Sequence, residues 1–415
     1  MSTARPEGHE SGRIVVTGLG LVTPVGHDRV STWNALLAGV DGIGEVESFD
    51  TSRHSSHRGG EVKGFDPVGR FRKLDPMELG RASQLAVFAA REAVEDAGLE
   101  TAGYPSHRLG VAMGTTSGEP GQVEDMDDRW LAGELDRMGA FARLYPSHVI
   151  AGHVAAELEI EGVVTMLPAA CAAGNYAVGF AVDALRTGRA DAMLAGGADA
   201  FSRITYTGFA RLGAIAPEIC QPFDRGRQGM MPGEAGAVLV LERERDARRR
   251  GAEIYAVVTG YGLSCDAHHM TAAHPEGDGA VRAMKQALRF AGLAADQISY
   301  VSAHGTGTPT NDRLETKAVR TVFGDRRLPV SSIKSMIGHT MGAASAVESA
   351  VCCLAVSQNR VPPTIHYEEP DPECDLDCVP NEAREIPVNA AMNNAYAFGG
   401  NNASVIFTKL NGSAR

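Results

Sequence analysis

Three short segments carry residues suited to thioester chemistry. Cys171 lies in Pro168-Ala-Ala-Cys-Ala-Ala-Gly-Asn175, between an apolar run at Val163–Leu167 and a small-residue stretch with helical character from Gly174. A thiol at a helix N-terminus faces free N–H groups and the positive end of the macrodipole, and both stabilise a thiolate nucleophile. Its small neighbours leave room for a substrate. The same segment also fits a free cysteine packed as a small apolar residue. His304 follows an apolar run in Ala303-His-Gly-Thr-Gly-Thr308. There the glycines permit close approach of a ligand and the threonines offer hydroxyls; a glycine turn with an incidental histidine is the plainer alternative. Lys334 and His339 stand five residues apart in Lys334-Ser-Met-Ile-Gly-His339. A surface lysine and a capping histidine would account for that segment alone. Taken together, one Cys and two His at separate strand ends suit a covalent nucleophile assisted by imidazole.

These residues need a scaffold that brings strand ends together. The sequence predicts strands at Arg13–Thr23, Leu109–Gly114, Val163–Leu167, Ala192–Gly197, Ile254–Gly260, Ile298–Ala303, Pro329–Ile333, Ala390–Tyr396 and Ala403–Leu410. Between them, Arg81–Ala97 has apolar residues at 3–4 spacing and a stop at Gly98, and further helices are read at Ser31–Ala38, Ser147–Leu158, Gly279–Ala291 and Asp312–Phe323, with small-residue helices at Gly174–Thr187 and Gly342–Ser357. Glu119–Leu144 reads as a charged, irregular surface excursion. The alternation runs twice, each time with a reactive residue just past a strand, which is an α/β layered pattern with a buried sheet. The repeat is one of elements only, without evident identity between the halves, which divide at 13–252 and 253–410.

The 415 residues are 44% apolar and 22% charged, an ordinary globular composition. Residues 1–12 are polar and expected to be loose. A net charge of −12 argues against nucleic acid as the main partner. Seven cysteines at irregular spacing do not form a disulfide framework, and Cys374-x3-Cys378 reads as structural. No signal peptide and no apolar run of membrane length is expected, so the chain is read as cytoplasmic.

In order, Cys171, His304, Lys334 and His339 resemble the β-ketoacyl-[acyl-carrier-protein] synthase family of the thiolase-like superfamily, in its elongating form. Further matches are RIVVTGLGLVTPVG at Arg13, AGGADA at Ala195, QPFDRGRQGMMPGEAG at Gln221, HMTAAHPEGDG at His269, AHGTGTPTNDRLE at Ala303, SSIKSMIGHTMGAASAVES at Ser331 and AFGGNNAS at Ala397, spanning nearly the whole chain. The resemblance implies a five-layered α-β-α-β-α sandwich of two similar halves. It implies that Cys171 takes an acyl chain from the phosphopantetheine arm of an acyl carrier protein, and that a malonyl-carrier protein then loses carbon dioxide and attacks the acyl thioester. The backbone N–H groups of Cys171 and Phe398 would hold the oxyanion. His304 and His339 would bind the malonyl carbonyl. Lys334, supported by Glu315, would orient and tune the histidines. Thr306 and Thr308 would hold the pantetheine amides, and Phe398 would gate the acyl pocket. No metal or dissociable cofactor is implied. A dimer is implied, either of two copies or with a chain-length-factor-like subunit. The acidic carrier protein would dock on a local basic patch, for which Arg70, Arg72 and Lys73 are candidates.

Several positions depart from the family pattern. Ala169 stands two residues before the nucleophile in place of Thr, and Gln228 replaces an Asp. Met230 replaces an aromatic, with Met231 beside it, and His268 stands where an aromatic is common. The SFGFGGTN pattern becomes Ala395-Tyr-Ala-Phe-Gly-Gly-Asn-Asn402, so Ala397 replaces a hinge glycine and Asn401 a threonine. With Met230 and Asn401 placed at the substrate, these changes reshape the acyl pocket and its gate, and methionine makes an adaptable wall. They favour a type II polyketide, polyene-like ketosynthase over housekeeping fatty-acid elongation. A non-condensing partner subunit would lack Cys171, a thiolase would use a second C-terminal Cys, and a pure transacylase would not need both His304 and His339.

Overall fold

A computed structural model describes residues 12–134 and 138–410. All but the last of the N-terminal polar residues expected to be loose lie outside the described residues. Ten runs rich in β-branched and small residues form strands: β1 (Ile14–Val22), β2 (Leu109–Gly114), β3 (Val164–Leu167), β4 (Ala192–Asp199), β5 (Ala235–Arg243), β6 (Ala256–Cys265), β7 (Tyr300–Ser302), β8 (Val330–Ser331), β9 (Ala390–Tyr396) and β10 (Asn401–Thr408). Hydrogen bonds join them in the order β8-β7-β9-β10-β6-β1-β5-β4-β2-β3.

The first five strands and the last five are wired identically. In each set the second strand pairs in parallel with the third and with the fourth. The fourth pairs antiparallel with the fifth, and the fifth antiparallel with the first. The two first strands, β1 and β6, meet antiparallel through Ile14–Val258, Val15–Val257 and Val16–Ala256. One half is therefore a structural copy of the other.

Both faces of each half-sheet are covered, which explains the near-continuous apolar runs. Five helices do this: α1 (Arg81–Ala97), α2 (Ala173–Arg186), α3 (Asp278–Ala291), α4 (Pro309–Phe323) and α5 (Ala344–Gln358). Val111, Met113, Leu194 and Val238 share a core with Ala86, Ala89 and Ala93 of α1. Their alternates Ala112, Met193, Ala195 and Leu239 join Ala177 and Val178 of α2 and Val347 of α5. In the second half, Val301, Met392 and Ile406 pack with Met284 of α3 and Val319 of α4, while Tyr300, Ala391 and Val405 turn inward to the α2–α5 core. This period of two places α2 and α5 between the half-sheets and gives five layers, α-β-α-β-α.

α5 is buried at every residue from Ala344 to Val356, as a helix apolar all round must be. Contrary to the sequence expectation, Met341–Gln358 is apolar and long enough to cross a membrane by composition, but most of it is buried inside the protein. Glu119–Leu144 is also more ordered than expected, since it holds the helices Pro120–Leu131 and Met138–Leu144. Among its exposed charges, Asp125 and Arg129 face each other one turn apart.

The central helices touch backbone to backbone. A Cβ on Gly174 would lie 2.4 Å from the Ala346 nitrogen. Around this contact the Asn393 side-chain amide donates to Asn175 Oδ1, the Ser345 carbonyl and Ser349 Oγ at 2.8–3.0 Å, which ties the two helices to β9. Gly174→Ala is expected to lower stability by about 2 kcal/mol, because overpacking against backbone has no rotamer to relieve it. A thermal midpoint equal to that of the unchanged chain would show that the helices can separate freely.

Candidate active site

The equivalent turns of the two halves build the site. After β3, the chain passes Pro168 and Ala169 and reaches Ala170 with φ of +50°. A 3-10 turn, Ala170–Ala172, then leads into α2. After β8, Lys334–Ile337 forms a single helical turn, Met341 has φ of +52°, and the 3-10 turn Met341–Ala343 leads into α5. A left-handed conformation costs a residue with a Cβ about 1–2 kcal/mol, so both are held by their surroundings. Asp199 supplies part of that hold. It accepts from the N–H groups of Thr116, Ser117 and Gly342 and from Thr115 Oγ1, all at 2.7–2.9 Å. Burial pushes its carboxyl up to about 6 against those donors.

A cavity of about 250 Å3 opens at these turns. Cys171, His304, His339, Met230, Thr306, Thr308 and Phe398 all line it. The His304 and His339 rings are 5.4 Å apart and nearly perpendicular. Burial, reinforced by the charge on Lys334, holds both imidazoles well below their ordinary value, so both are neutral. The Met341 N–H donates to His339 Nδ1 at 3.2 Å. His339 therefore carries its proton on Nε2 and is a donor into the cavity. Cys171 differs from the expectation of a ready thiolate, because burial pushes its thiol up to about 12, with Lys334 pulling the other way. The resting sulfur is a thiol, which must lose its proton before it can act as a nucleophile.

The His304 loop is shaped by glycine and fixed by a carboxylate. Gly307 has φ of +79°, and a Cβ there would lie 2.7 Å from the Gly229 carbonyl oxygen. Thr306 and Thr308 hydroxyls meet at 2.9 Å at the cavity wall. Glu315 accepts from the N–H groups of His304 and Gly305 at 2.9 and 2.7 Å. Burial raises its carboxyl to about 7 despite these bonds.

Three expectations change. Glu315 does not partner Lys334; it braces the backbone of the His304 loop. Lys334 Nζ instead pairs with Glu348 of α5, and both side chains are about 1% exposed. Asn401 is not part of the cavity lining. It begins β10, and its carbonyl accepts from the Ala397 N–H at 2.9 Å. The basic cluster spends its charge elsewhere: Arg72 pairs with Glu95 and Glu100, Lys73 with Glu159 and Arg70 with Glu95, beside a different depression. Cys374 and Cys378 are buried free thiols, and among the described residues no three His, Cys, Asp or Glu side chains form a metal-ligating group.

Sequence reasoning missed Glu348 and Tyr396. Glu348 was legible as the lone charge in Ala344–Gln358, since a carboxylate in an apolar helix needs a partner. Tyr396 lines the cavity against His304, with ring centroids 5.7 Å apart. Phe209, also in the cavity wall, lies 5.8 Å from the Phe398 ring.

The chain is similar to known proteins along nearly its whole length. Residues 11–247 match the family model described as beta-ketoacyl synthase, N-terminal domain, and residues 255–368 match the C-terminal domain. A Staphylococcus aureus (strain N315) protein named 3-oxoacyl-[acyl-carrier-protein] synthase 2 is 38% identical over 97% of this chain and 99% of its own length. A Synechocystis protein of the same name is 38% identical over 96% and 99%. A solved structure described as the ishigamide ketosynthase/chain length factor superposes with a TM-score of 0.93 at 40% identity, covering 97% of this chain and all of that one. Another, a type II PKS acyl-carrier protein in complex with its ketosynthase bound to the hexaketide, superposes with a TM-score of 0.89 at 31% identity, covering 97% and 100%.

Proposed function

The chain belongs to the β-ketoacyl synthase family of condensing acyltransferases, and we propose that it extends acyl chains in type II polyketide assembly, with Cys171 as the acyl acceptor. The convergence of Cys171, His304 and His339 on one cavity carries this reading.

In the first step the Cys171 sulfur attacks the thioester carbonyl of an acyl-carrier protein. The thiol proton passes to imidazole and then to the departing pantetheine thiolate, so the arm leaves as a thiol and the chain stays on Cys171. In the second step a malonyl-carrier protein occupies the cavity mouth. Its C–C bond breaks, carbon dioxide leaves, and the electron pair becomes an enolate. His339 donates Nε2–H to the enolate oxygen and His304 binds the same atom, which stabilises charge that exists only after the bond begins to break. The enolate carbon attacks the acyl thioester, and the N–H groups of Cys171 and Phe398 hold the oxyanion until the thiolate is expelled. Thr306 and Thr308 hold the pantetheine amides, and Phe398 gates the passage.

Likeness to a ketosynthase/chain length factor structure supports the polyketide assignment, as does the Met230 wall. It also supports a dimer that works with a separate carrier protein, either of two copies or with a chain-length-factor-like partner; we read the enzyme as cytoplasmic. The 38% relatives named 3-oxoacyl-[acyl-carrier-protein] synthase 2 favour fatty-acid elongation as the second reading. Intact-mass analysis after incubation with acyl-carrier proteins of graded length and unsaturation separates the two. Preferential adducts with polyunsaturated chains are expected. Equal or better loading of saturated chains would return the enzyme to fatty-acid elongation.

A further inference from the structure

The two histidines are not anchored alike. His339 has its Nδ1 fixed by a backbone N–H. His304 is buried, yet its Nδ1 has no hydrogen-bond partner. Glu315 and Lys334 are already engaged: both Glu315 oxygens hold backbone N–H groups, and Lys334 Nζ is paired with Glu348. Packed against His304 is Tyr396, at 67° to its ring, and the Tyr396 hydroxyl is also buried without a partner. Buried polar atoms without partners are rare, and these two, a donor and an acceptor on adjoining rings, have complementary chemistry.

Building on the ketosynthase reading, we propose that Tyr396 is the positioning residue for His304: its hydroxyl donates through one buried water to His304 Nδ1 and holds the imidazole with its proton on Nε2. In the decarboxylation step both histidines then present Nε2–H to the same substrate oxygen, one set by backbone and the other by a phenol. During acyl transfer the phenol, through the same water, accepts from Nδ1–H instead, which frees His304 Nε2 to take the Cys171 proton. The phenol can serve because burial and the nearby Glu315 carboxylate hold it well above its ordinary value, so it keeps its proton. The charged or titratable groups that act on His304 are Lys334, His339 and, through the loop, Glu315. None of them donates to Nδ1.

Tyr396→Phe removes the hydroxyl and keeps the ring. Malonyl-carrier decarboxylation by the full-length enzyme, with its partner subunit if one is required, should fall about tenfold. Its acid limb should move to higher pH, because a donor to Nδ1 stabilises the neutral imidazole and its loss raises the pKa. Long-range 15N–1H spectra should show one histidine losing its pure Nε2–H signature. An unchanged rate, acid limb and tautomer in a variant with an unchanged thermal midpoint would overturn the proposal. Should the Phe variant fold poorly, 3-fluorotyrosine at position 396 replaces it. A stronger donor of nearly the same shape must move the acid limb to lower pH, and a limb that stays put is equally fatal. An unsubstituted enzyme that neither takes up acyl groups nor decarboxylates malonyl-carrier protein defeats the ketosynthase reading itself, which is a different result.

Discussion

Cys171→Ala is expected to abolish the acyl adduct and to lower condensation by about a thousandfold or more, while malonyl-carrier decarboxylation continues. The separation follows from the site. Acyl transfer needs the sulfur, whereas carbon dioxide loss needs only the imidazoles that face the malonyl carbonyl, and these belong to different turns. The pH dependence of acylation sharpens the test. With the thiol pushed up to about 12, no useful thiolate exists at neutral pH, so the rate depends on neutral imidazole as base. Both imidazoles lie well below their ordinary 6.5, so acylation should stay flat from pH 8 to below 6.5 and fall only under more acid conditions. Intact mass measured against pH reads this directly. A rate that climbs tenfold per pH unit through neutrality would mean that the thiolate forms without a base.

The reactive residues were legible because each stands where an apolar run stops at a small-residue turn, as Ala303-His304-Gly305 does. The duplicated wiring was legible only as alternation, since pairing partners such as β1 with β6 are distant in sequence and leave no local signal. β5 was missed although it joins β1 to β4. Its apolar run, AGAVLVLER, is buried on both faces and shows no alternation. Charge was the hardest feature to place. Glu315 and Glu348 are both buried carboxylates on helices near the site, and nothing in their spacing says that the first binds backbone N–H groups and the second binds Lys334. Nor does a cluster such as Arg70, Arg72 and Lys73 reveal that carboxylates from Glu95 to Glu159 surround it.

Glu348→Ala should be the most destabilising single change at the site, at about 3–5 kcal/mol, because it leaves the Lys334 ammonium buried and unpaired. A thermal midpoint several degrees lower is the expected result. The pH dependence has a definite sign. Burial pushes the Glu348 carboxyl from 4.5 up to about 7 although Lys334 pulls it down. A folded value above the unfolded one means that protonation favours the fold, so this contribution is complete below about pH 4.5 and lost as pH rises through about 7. Glu315 behaves in the same sense. Glu348→Gln should therefore make the midpoint less steeply dependent on pH across that window without flattening it. Replacing both partners, Lys334→Met with Glu348→Leu, should restore most of the stability lost in Glu348→Ala, since no buried charge is left alone. The acid limb of decarboxylation should nevertheless be displaced. Lys334 helps to keep His304 and His339 neutral, so its loss raises both and shifts the acid limb of decarboxylation upward. A double variant that recovers stability and decarboxylates with an unmoved acid limb would show that the ion pair is only structural. Recovery of stability with a displaced limb assigns Lys334 to the chemistry through the field it casts on the two imidazoles.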